Sequence, residues 1–452
     1  MPYIRTWQME PLAPAVLASL TPSGVDVRFY DDRMEIIPFD EPTDLVAISV
    51  ETYTARRAYQ IASEYRSRGV PVVMGGFHAT LVPEEAAEYA ESVVVGEAEE
   101  VWPRIIEDFR NGELKRQYRS VSRPSLASLM PDRSIFRGKR YLPIALIEAG
   151  RGCQMRCEFC AVQSYFGGTQ SRRSIEGVVE EVRRLNKRLY FFVDDNIASN
   201  MDQAKELFHA LIPLKIKWVA QASVHAAHDR EFLGLIRAAG CQGLLVGLET
   251  LDSGNLRQMG KMFNDTDGGV GEAVERFHGA GIRLYPTFIF GYDADTVASI
   301  REAVEFSRRH GFFMAAFNHL TPFPGTPLYE RLRREGRLLY EKWWLDPAYR
   351  YGMLPFRPAG MSAVEVGEEC LRARKYFFSL PSILRRALKF RVNSRNPSML
   401  LETLAINMMM RKEVSQRPEL GMGDGLFKGP LLKVAGAGTI AAPFHAAGGE
   451  AS

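Results

Sequence analysis

The stretch Glu148-Ala-Gly-Arg-Gly-Cys153-Gln-Met-Arg-Cys157-Glu-Phe-Cys160-Ala-Val-Gln163 places three of the chain's five cysteines within eight residues. It follows the apolar run Ile144–Ile147, so the thiols stand just past the end of a short strand. Thiolates spaced CxxxCxxC on one loop can bind one metal centre together. Iron–sulfur cubanes are held by cysteine thiolates and usually take four, and a closed structural zinc site also wants four ligands. No fourth Cys or well-spaced His completes either set here. A cubane on three thiolates leaves one iron open, which is what substrate chemistry at a cluster needs; three purely structural cysteines are the bland alternative. Cys241 opens an apolar strand and Cys370 lies in a helical pattern, so both read as ordinary buried residues.

Working outward, strands and helices alternate on both sides of the triplet, which indicates βαβ units and parallel sheets. Downstream, candidate strands are Ile144–Ile147, Leu189–Val193, Lys217–Ala220, Leu244–Leu248, Thr287–Phe290 and Met314–Phe317, with helical patterns such as Ser174–Asn186, Asp229–Ala239 and Thr296–His310 between them. Six strands suit a partial, open-sided (β/α)6 barrel whose site lies at the carboxyl ends of its strands. Upstream, Val46–Val50, Val70–Met74 and Ser92–Val95 alternate with helical stretches and predict an N-terminal doubly wound parallel sheet. The fold class is therefore α/β: residues 1–116 form the N-terminal sheet domain, 117–142 a Ser-, Pro- and Arg-rich linker, and 143–328 the barrel. Residues 329–420 form a mostly helical C-terminal region, and 421–452 a Gly- and Ala-rich tail expected to be disordered. Trp343, Trp344, Tyr349 and Tyr351 suit either the open mouth of the barrel or an aromatic core. The Met- and Leu-rich helix at Ser398–Lys412 reads as core filler, and the basic stretch Arg385–Arg391 as a solvated face.

Composition narrows the function. The chain has 452 residues, 57 Lys plus Arg and 54 Asp plus Glu, for a net charge of +3, so no overall electrostatic argument favours a nucleic-acid partner. No run of eighteen apolar residues is present, so no integral membrane segment is expected. The start lacks a signal-peptide pattern, and an odd cysteine count argues against a disulfide framework, so the protein is expected in the cytoplasm.

The triplet, the aromatic Phe159 before its third cysteine and the β/α rhythm closely resemble the radical S-adenosylmethionine enzymes. The resemblance implies that Cys153, Cys157 and Cys160 ligate a [4Fe-4S] cluster whose open iron chelates S-adenosylmethionine. One electron, from a donor such as flavodoxin or ferredoxin, then cleaves the sulfonium to a 5′-deoxyadenosyl radical. It further implies cofactor contacts at the strand ends: Phe159 beside the ligand, Asp194-Asp195-Asn196 after the second strand, Ser223 after the third, Glu249 after the fourth and Gly291 after the fifth. The stretch Thr287-Phe-Ile-Phe-Gly291 is similar to the family's GxIxG, with Thr287 in place of the first Gly. Helix capping is the ordinary use of Asp and Asn at such junctions.

The N-terminal segments Ile48-Ser-Val-Glu-Thr52, Gly75-Gly76-Phe77-His78 and Val95-Gly96-Glu97-Ala-Glu99 resemble cobalamin-binding domains fused to radical S-adenosylmethionine domains. The resemblance assigns Thr52, Gly75, Gly76, Gly96 and Glu97 to cobalamin. Glycine turns let a backbone approach a large flat ligand. No DxHxxG signature is present, so no histidine ligand to cobalt is expected, and His78 reads as a hydrogen-bonded loop residue. The implied activity is cobalamin-dependent C-methylation of an unactivated carbon in a small-molecule substrate. A cobalamin-binding cyclase or rearrangement enzyme is the second reading, and a non-enzymatic iron–sulfur or cobalamin sensor the third. No residue other than the cofactor ligands is singled out as catalytic.

Overall fold

A computed structural model describes residues 8–127, 129–265, 268–414 and 421–434. Two parallel sheets dominate it. The first holds β1 (Val46–Ser49), β2 (Val72–Gly75), β3 (Ser92–Val95) and β4 (Gln117–Arg119), hydrogen-bonded in chain order. Alternation decides what each face packs against: Val72, Met74, Val93 and Val95 point to the helices Ala55–Ser67 and Pro83–Tyr89. Val73 and Val94 point the other way, to Trp102, Ile105 and Ile106 of the helix Trp102–Arg110. Helices thus cover both faces, as a doubly wound sheet requires, but among the described residues the strand order shows no reversal. Its carboxyl edge is completed by the neighbouring barrel and not by a switch point of its own. The expected linker 117–142 begins inside this sheet, since its first three residues form β4, with Tyr118 buried against the helix. A three-residue edge strand is too short to show period-two alternation, which hid it in the sequence.

The second sheet is the barrel. After β5 (Ile144–Ile147), a hairpin of β6 (Gly150–Arg151) and β7 (Ser171–Arg172) carries the cysteine loop. β8 (Leu189–Phe192), β9 (Lys217–Ala222), β10 (Cys241–Glu249), β11 (Arg283–Phe290) and β12 (Ala316–His319) follow. The order is β12-β11-β10-β9-β8-β5, six parallel strands in sequence, the partial barrel expected. Its core is large and aromatic: Trp218 stacks on Phe208 at 4.6 Å and is fully buried, its indole N–H donating to the Ala239 carbonyl at 2.9 Å. Cys241 and Cys370 are both buried, as read.

The C-terminal region departs from its expected boundaries. Of the two places open to Trp343, Trp344 and Tyr349, the aromatic core is the one they take, and it is the core of the N-terminal domain, shared with Tyr59 and Tyr89. The helices Ala363–Phe377, Leu380–Ala387 and Pro397–Val414 pack on the barrel, and Met399 and Met410 are buried while Met408 is exposed. Residues 421–434 of the expected disordered tail form a strap over the helix Ala55–Ser67. Gln60 exchanges two hydrogen bonds with Asp424, at 2.8 and 3.0 Å, and the Leu432 N–H donates to Ser63 at 2.8 Å. Met422 and Leu431 pack on the N-terminal core. Composition suggested disorder, but backbone hydrogen bonds to polar side chains on the helix hold the strap. Residues 435–452 lie outside the described residues.

Candidate functional site

The cysteine loop sits at the carboxyl end of the barrel and is fastened on three sides. The Gly152 N–H donates to Asp195 Oδ2 at 2.7 Å, the Glu158 N–H to the Met259 carbonyl at 3.0 Å, and the Leu328 N–H to the Glu158 carbonyl at 3.0 Å. Gly152 has φ of +89°, and a Cβ there would stand 2.2 Å from the Thr169 carbonyl oxygen, so only glycine lets the hairpin close beneath the thiols.

All three thiols are free. Burial raises Cys157 to about 12, partly offset by the charge of Lys261. Burial also raises Cys160, against which the N–H groups of Gln163 and Val162 act. Among the described residues no three His, Cys, Asp or Glu side chains stand close enough to share a single ion, as a closed zinc site would require. A cubane instead spreads its thiolates over separate irons. The surrounding chemistry fits such a group. Asn196 Nδ2 lies 4.0 Å from Cys153 Sγ, and the Lys261 ammonium is buried where it counters thiolate charge at Cys157 and Cys160. Asp194 Oδ1 is buried with no hydrogen-bond partner, an orphan acceptor 3.4 Å from where a Cβ on Gly150 would stand.

The other expected residues divide. Asp194 accepts from the Ala149 N–H at 3.0 Å through its second oxygen, and burial lifts its pKa to about 7. Asn196 and Ser223 form one unit, Asn196 Nδ2 donating to Ser223 Oγ at 2.7 Å and the Ser223 N–H to Asn196 Oδ1 at 3.3 Å. Glu249 stands at a bulge of β10 with φ of +64°, an uncommon conformation for a non-glycine residue. Its Oε1 receives the Lys261 ammonium at 2.5 Å, and Thr287, the residue replacing the family's glycine, donates to its Oε2 at 3.4 Å. A Cβ on Gly247 would fall 2.2 Å from Glu249 Oε1, so that glycine makes room for the pair. Phe159 packs on the barrel core with Lys261 Nζ 5.9 Å from its ring. Gly291 is committed elsewhere: its N–H donates to Asp295 at 2.8 Å, and Phe356 and Leu320 fill the space a Cβ would take.

A cavity of about 340 Å³ joins the two domains. Gly75, Gly76, Gly96 and Glu97 line it from the carboxyl edge of the first sheet, and Glu148, Arg151, Tyr165 and Asp195 from the barrel. Thr52 is not at the cavity; it is buried and hydrogen-bonded at 3.2 Å to His78 Nδ1. His78 is itself buried, with Nε2 at 3.2 Å from Glu85; it is hydrogen-bonded as expected, but in the short helix Phe77–Leu81 and not in a loop. Sequence reasoning passed over Arg151, although it stands two residues before Cys153. Its guanidinium meets Glu99 at 2.5 Å, Glu148 at 2.6 Å and Glu97 at 3.1 Å. Burial works against its charge, but Glu148 and Glu99 outweigh burial and keep it protonated. Arg123 makes a second contact with Glu97, whose pKa burial raises against both arginines. Lys261 was also missed, since a lone Lys after a short helix carries no signal until folding buries it.

Residues 147–307 match the profile of the radical SAM superfamily. The bacteriochlorophyllide d C-8(2)-methyltransferase of Chlorobaculum tepidum is 30% identical over 354 residues, 74% of this chain and 78% of that protein. The chain belongs to the radical SAM superfamily. The bacteriochlorophyllide d C-12(1)-methyltransferase of the same organism is 28% identical over 83% of this chain and 84% of its own. The structure of the radical S-adenosylmethionine methyltransferase TsrM from Kitasatospora setae, solved with cobalamin and a [4Fe-4S] cluster, aligns with a TM-score of 0.56. Identity there is 16%, and the alignment covers 84% of this chain and 89% of that one, so the likeness speaks for the fold. This radical SAM enzyme therefore shares that fold over most of its length, and no helix among its described residues is long and apolar enough to cross a membrane.

Proposed function

We propose that this radical SAM enzyme carries out cobalamin-dependent C-methylation of an unactivated carbon in a small-molecule substrate. The observation that carries the reading is the shared cavity: the glycine turns of the first sheet face the cysteine-bearing end of the barrel across it. Its relatives at 30% and 28% identity are methyltransferases, and the matching TsrM structure was solved with cobalamin and a [4Fe-4S] cluster bound. When bound, the cluster with S-adenosylmethionine supplies a hydrogen-abstracting radical and the corrin supplies the methyl group.

The chain's own residues would divide the work. Cys153, Cys157 and Cys160 would hold the cluster, with Lys261 balancing the charge of Cys157 and Cys160 and the Asn196 amide beside Cys153. Asp194, Asn196, Ser223 and Glu249 form the polar rim on which a ligand with ammonium and hydroxyl groups is oriented, and the free acceptor Asp194 Oδ1 suits such a donor. Gly75, Gly76 and Gly96 offer flat backbone to a corrin, and Tyr165 and Phe166 face them from the barrel and exclude water. Arg151 ties the cluster loop to the Gly96–Glu97 turn, so the two cofactor regions keep one spacing. A one-electron donor such as flavodoxin or ferredoxin would reduce the cluster.

The test is anaerobic reconstitution with iron, sulfide and cobalamin, followed by reductant, labelled S-adenosylmethionine and candidate substrates. The expected result is a cluster signal that changes on adding S-adenosylmethionine, formation of 5′-deoxyadenosine and a product heavier by one CH₂. A product of altered mass without that gain would transfer the reading to cyclisation or rearrangement. Ligand binding without 5′-deoxyadenosine would make the protein a sensor.

A further inference from the structure

We propose that the helix Leu380–Ala387 and the turn after it dock the enzyme on an anionic membrane surface, with leucines and a phenylalanine entering the lipid and basic side chains meeting headgroup phosphates.

Two independent features meet there. The first is apolar exposure. The helix buries Ser382, Ile383, Arg386 and Ala387 against the protein, yet its outward stripe is also apolar. Leu380, Leu384 and Leu388, spaced four apart, are 48, 57 and 60% exposed, and Phe390 just beyond is 70% exposed. The second is charge. Between residues 370 and 401 the chain has eight Lys or Arg and no Asp or Glu, although its net charge is only +3. Arg374 and Arg386 are buried, while Lys375, Arg385, Lys389 and Arg391 are exposed, and among the described residues no carboxylate lies within ion-pairing distance of these four. Large exposed apolar side chains flanked by cations match the interface of an anionic bilayer, where apolar burial and attraction to lipid phosphates add.

The inward side anchors the helix well enough to transmit such binding. Arg386 donates to the carbonyls of Phe312, Phe313 and Phe377 and to Asn407, at 3.0 to 3.1 Å, and lies on the Phe377 ring at 3.8 Å.

Other occupants fit less well. A second copy pairing through this face would oppose two clusters of like charge. A nucleic acid would be served by the cations but not by exposed leucines. An acidic electron donor would sit at the wrong end. The neighbouring Asn393 donates to the Gly311 carbonyl, and Arg283, which begins β11, donates to the Val392 carbonyl. The patch thus lies at the amino ends of the strands, and the cysteines at their carboxyl ends. Eight residues of β11 place roughly 26 Å between those ends, at about 3.3 Å per residue.

The test is flotation of the full-length enzyme with vesicles of phosphatidylcholine alone and of phosphatidylcholine mixed with phosphatidylglycerol. The expected result is co-flotation with the anionic vesicles only, released by high salt. Replacing Lys389→Gln and Arg391→Gln is expected to weaken binding about fivefold per residue. Leu384→Gln with Leu388→Gln is expected to weaken it about tenfold or more. Both double variants should keep the thermal midpoint and the cluster content, which shows that they fold. No flotation, flotation indifferent to charge and salt, or wild-type flotation by both variants would overturn the proposal. So would a dimer in light scattering that the leucine variant breaks, or retention of DNA in place of vesicles.

Discussion

Lys261 and Glu249 show how one residue's worth depends on its partner. Both are buried beside the cysteine loop and meet at 2.5 Å. Removing one charge strands the other in a low-dielectric site, which typically costs about 3–5 kcal/mol. Lys261→Met is therefore expected to lower stability by that order in denaturant melts of the cluster-free chain. The double change with Glu249→Gln should recover much of the loss. The cysteines separate in the same way by position and not by residue type. Replacing Cys153, Cys157 or Cys160 by Ala should abolish bound iron and sulfide after anaerobic reconstitution. Cys241→Ala, beneath the start of β10, should retain both while losing some stability to the cavity it leaves.

Secondary-structure elements supply the precision of the site through their ends. The hairpin of β6 and β7 is two residues wide, and its closure rests on Gly152, whose missing side chain leaves room for the Thr169 carbonyl. Gly152→Ala is expected to displace the loop and reduce cluster retention severalfold with all three cysteines intact; iron quantitation per chain checks this. Gly76 poses a similar demand at the end of β2. Its φ of +96° with ψ of −172° is a region almost confined to glycine, and a Cβ would lie 2.9 Å from the Val50 carbonyl oxygen. Gly76→Ala should cost about 1–3 kcal/mol in thermal melts and disturb the edge that lines the cavity.

Across the whole molecule, the N-terminal domain is completed by chain that returns from far downstream. Glu85 is the hub: it accepts from Tyr59 at 3.1 Å and from the Trp344 indole at 2.8 Å, and it faces His78 at 3.2 Å and Lys342 at 3.0 Å. Burial alone would raise its pKa, but the hydrogen bond and charge of His78, with Trp344 and Lys342, outweigh burial and hold it at about 2. A folded-state pKa below the unfolded value stabilises at pH above the unfolded pKa and is lost as pH falls through the folded one. Stability on the order of 3 kcal/mol is thus present at neutral pH and lost between about pH 4.5 and about pH 2. Thermal midpoints across this window should fall more steeply for the native chain than for Glu85→Gln, which should already be weaker at neutral pH. The strap 421–434 makes the second return crossing. Truncation before Gly421 removes the Gln60–Asp424 exchange and the apolar cover of Met422 and Leu431, and is expected to lower the melting temperature by several degrees.

The amino-acid order alone determined the elements whose signal is local. Three cysteines in eight residues announce a cluster loop, and strand-to-helix alternation predicts six parallel strands and their order. Periodicity and spacing are properties of neighbouring residues, so they survive without a fold. Tertiary structure decided whatever joins distant residues. It withdrew Thr52 from the cavity to hold His78, committed Gly291 to packing, and turned the linker's first residues into β4. It also set Arg151 among three carboxylates, buried Lys261 beside the thiols, and sent Trp344 and the strap into the N-terminal domain. Burial and charge pairing arise only when separate segments of the chain share one low-dielectric space, and no local pattern encodes that meeting.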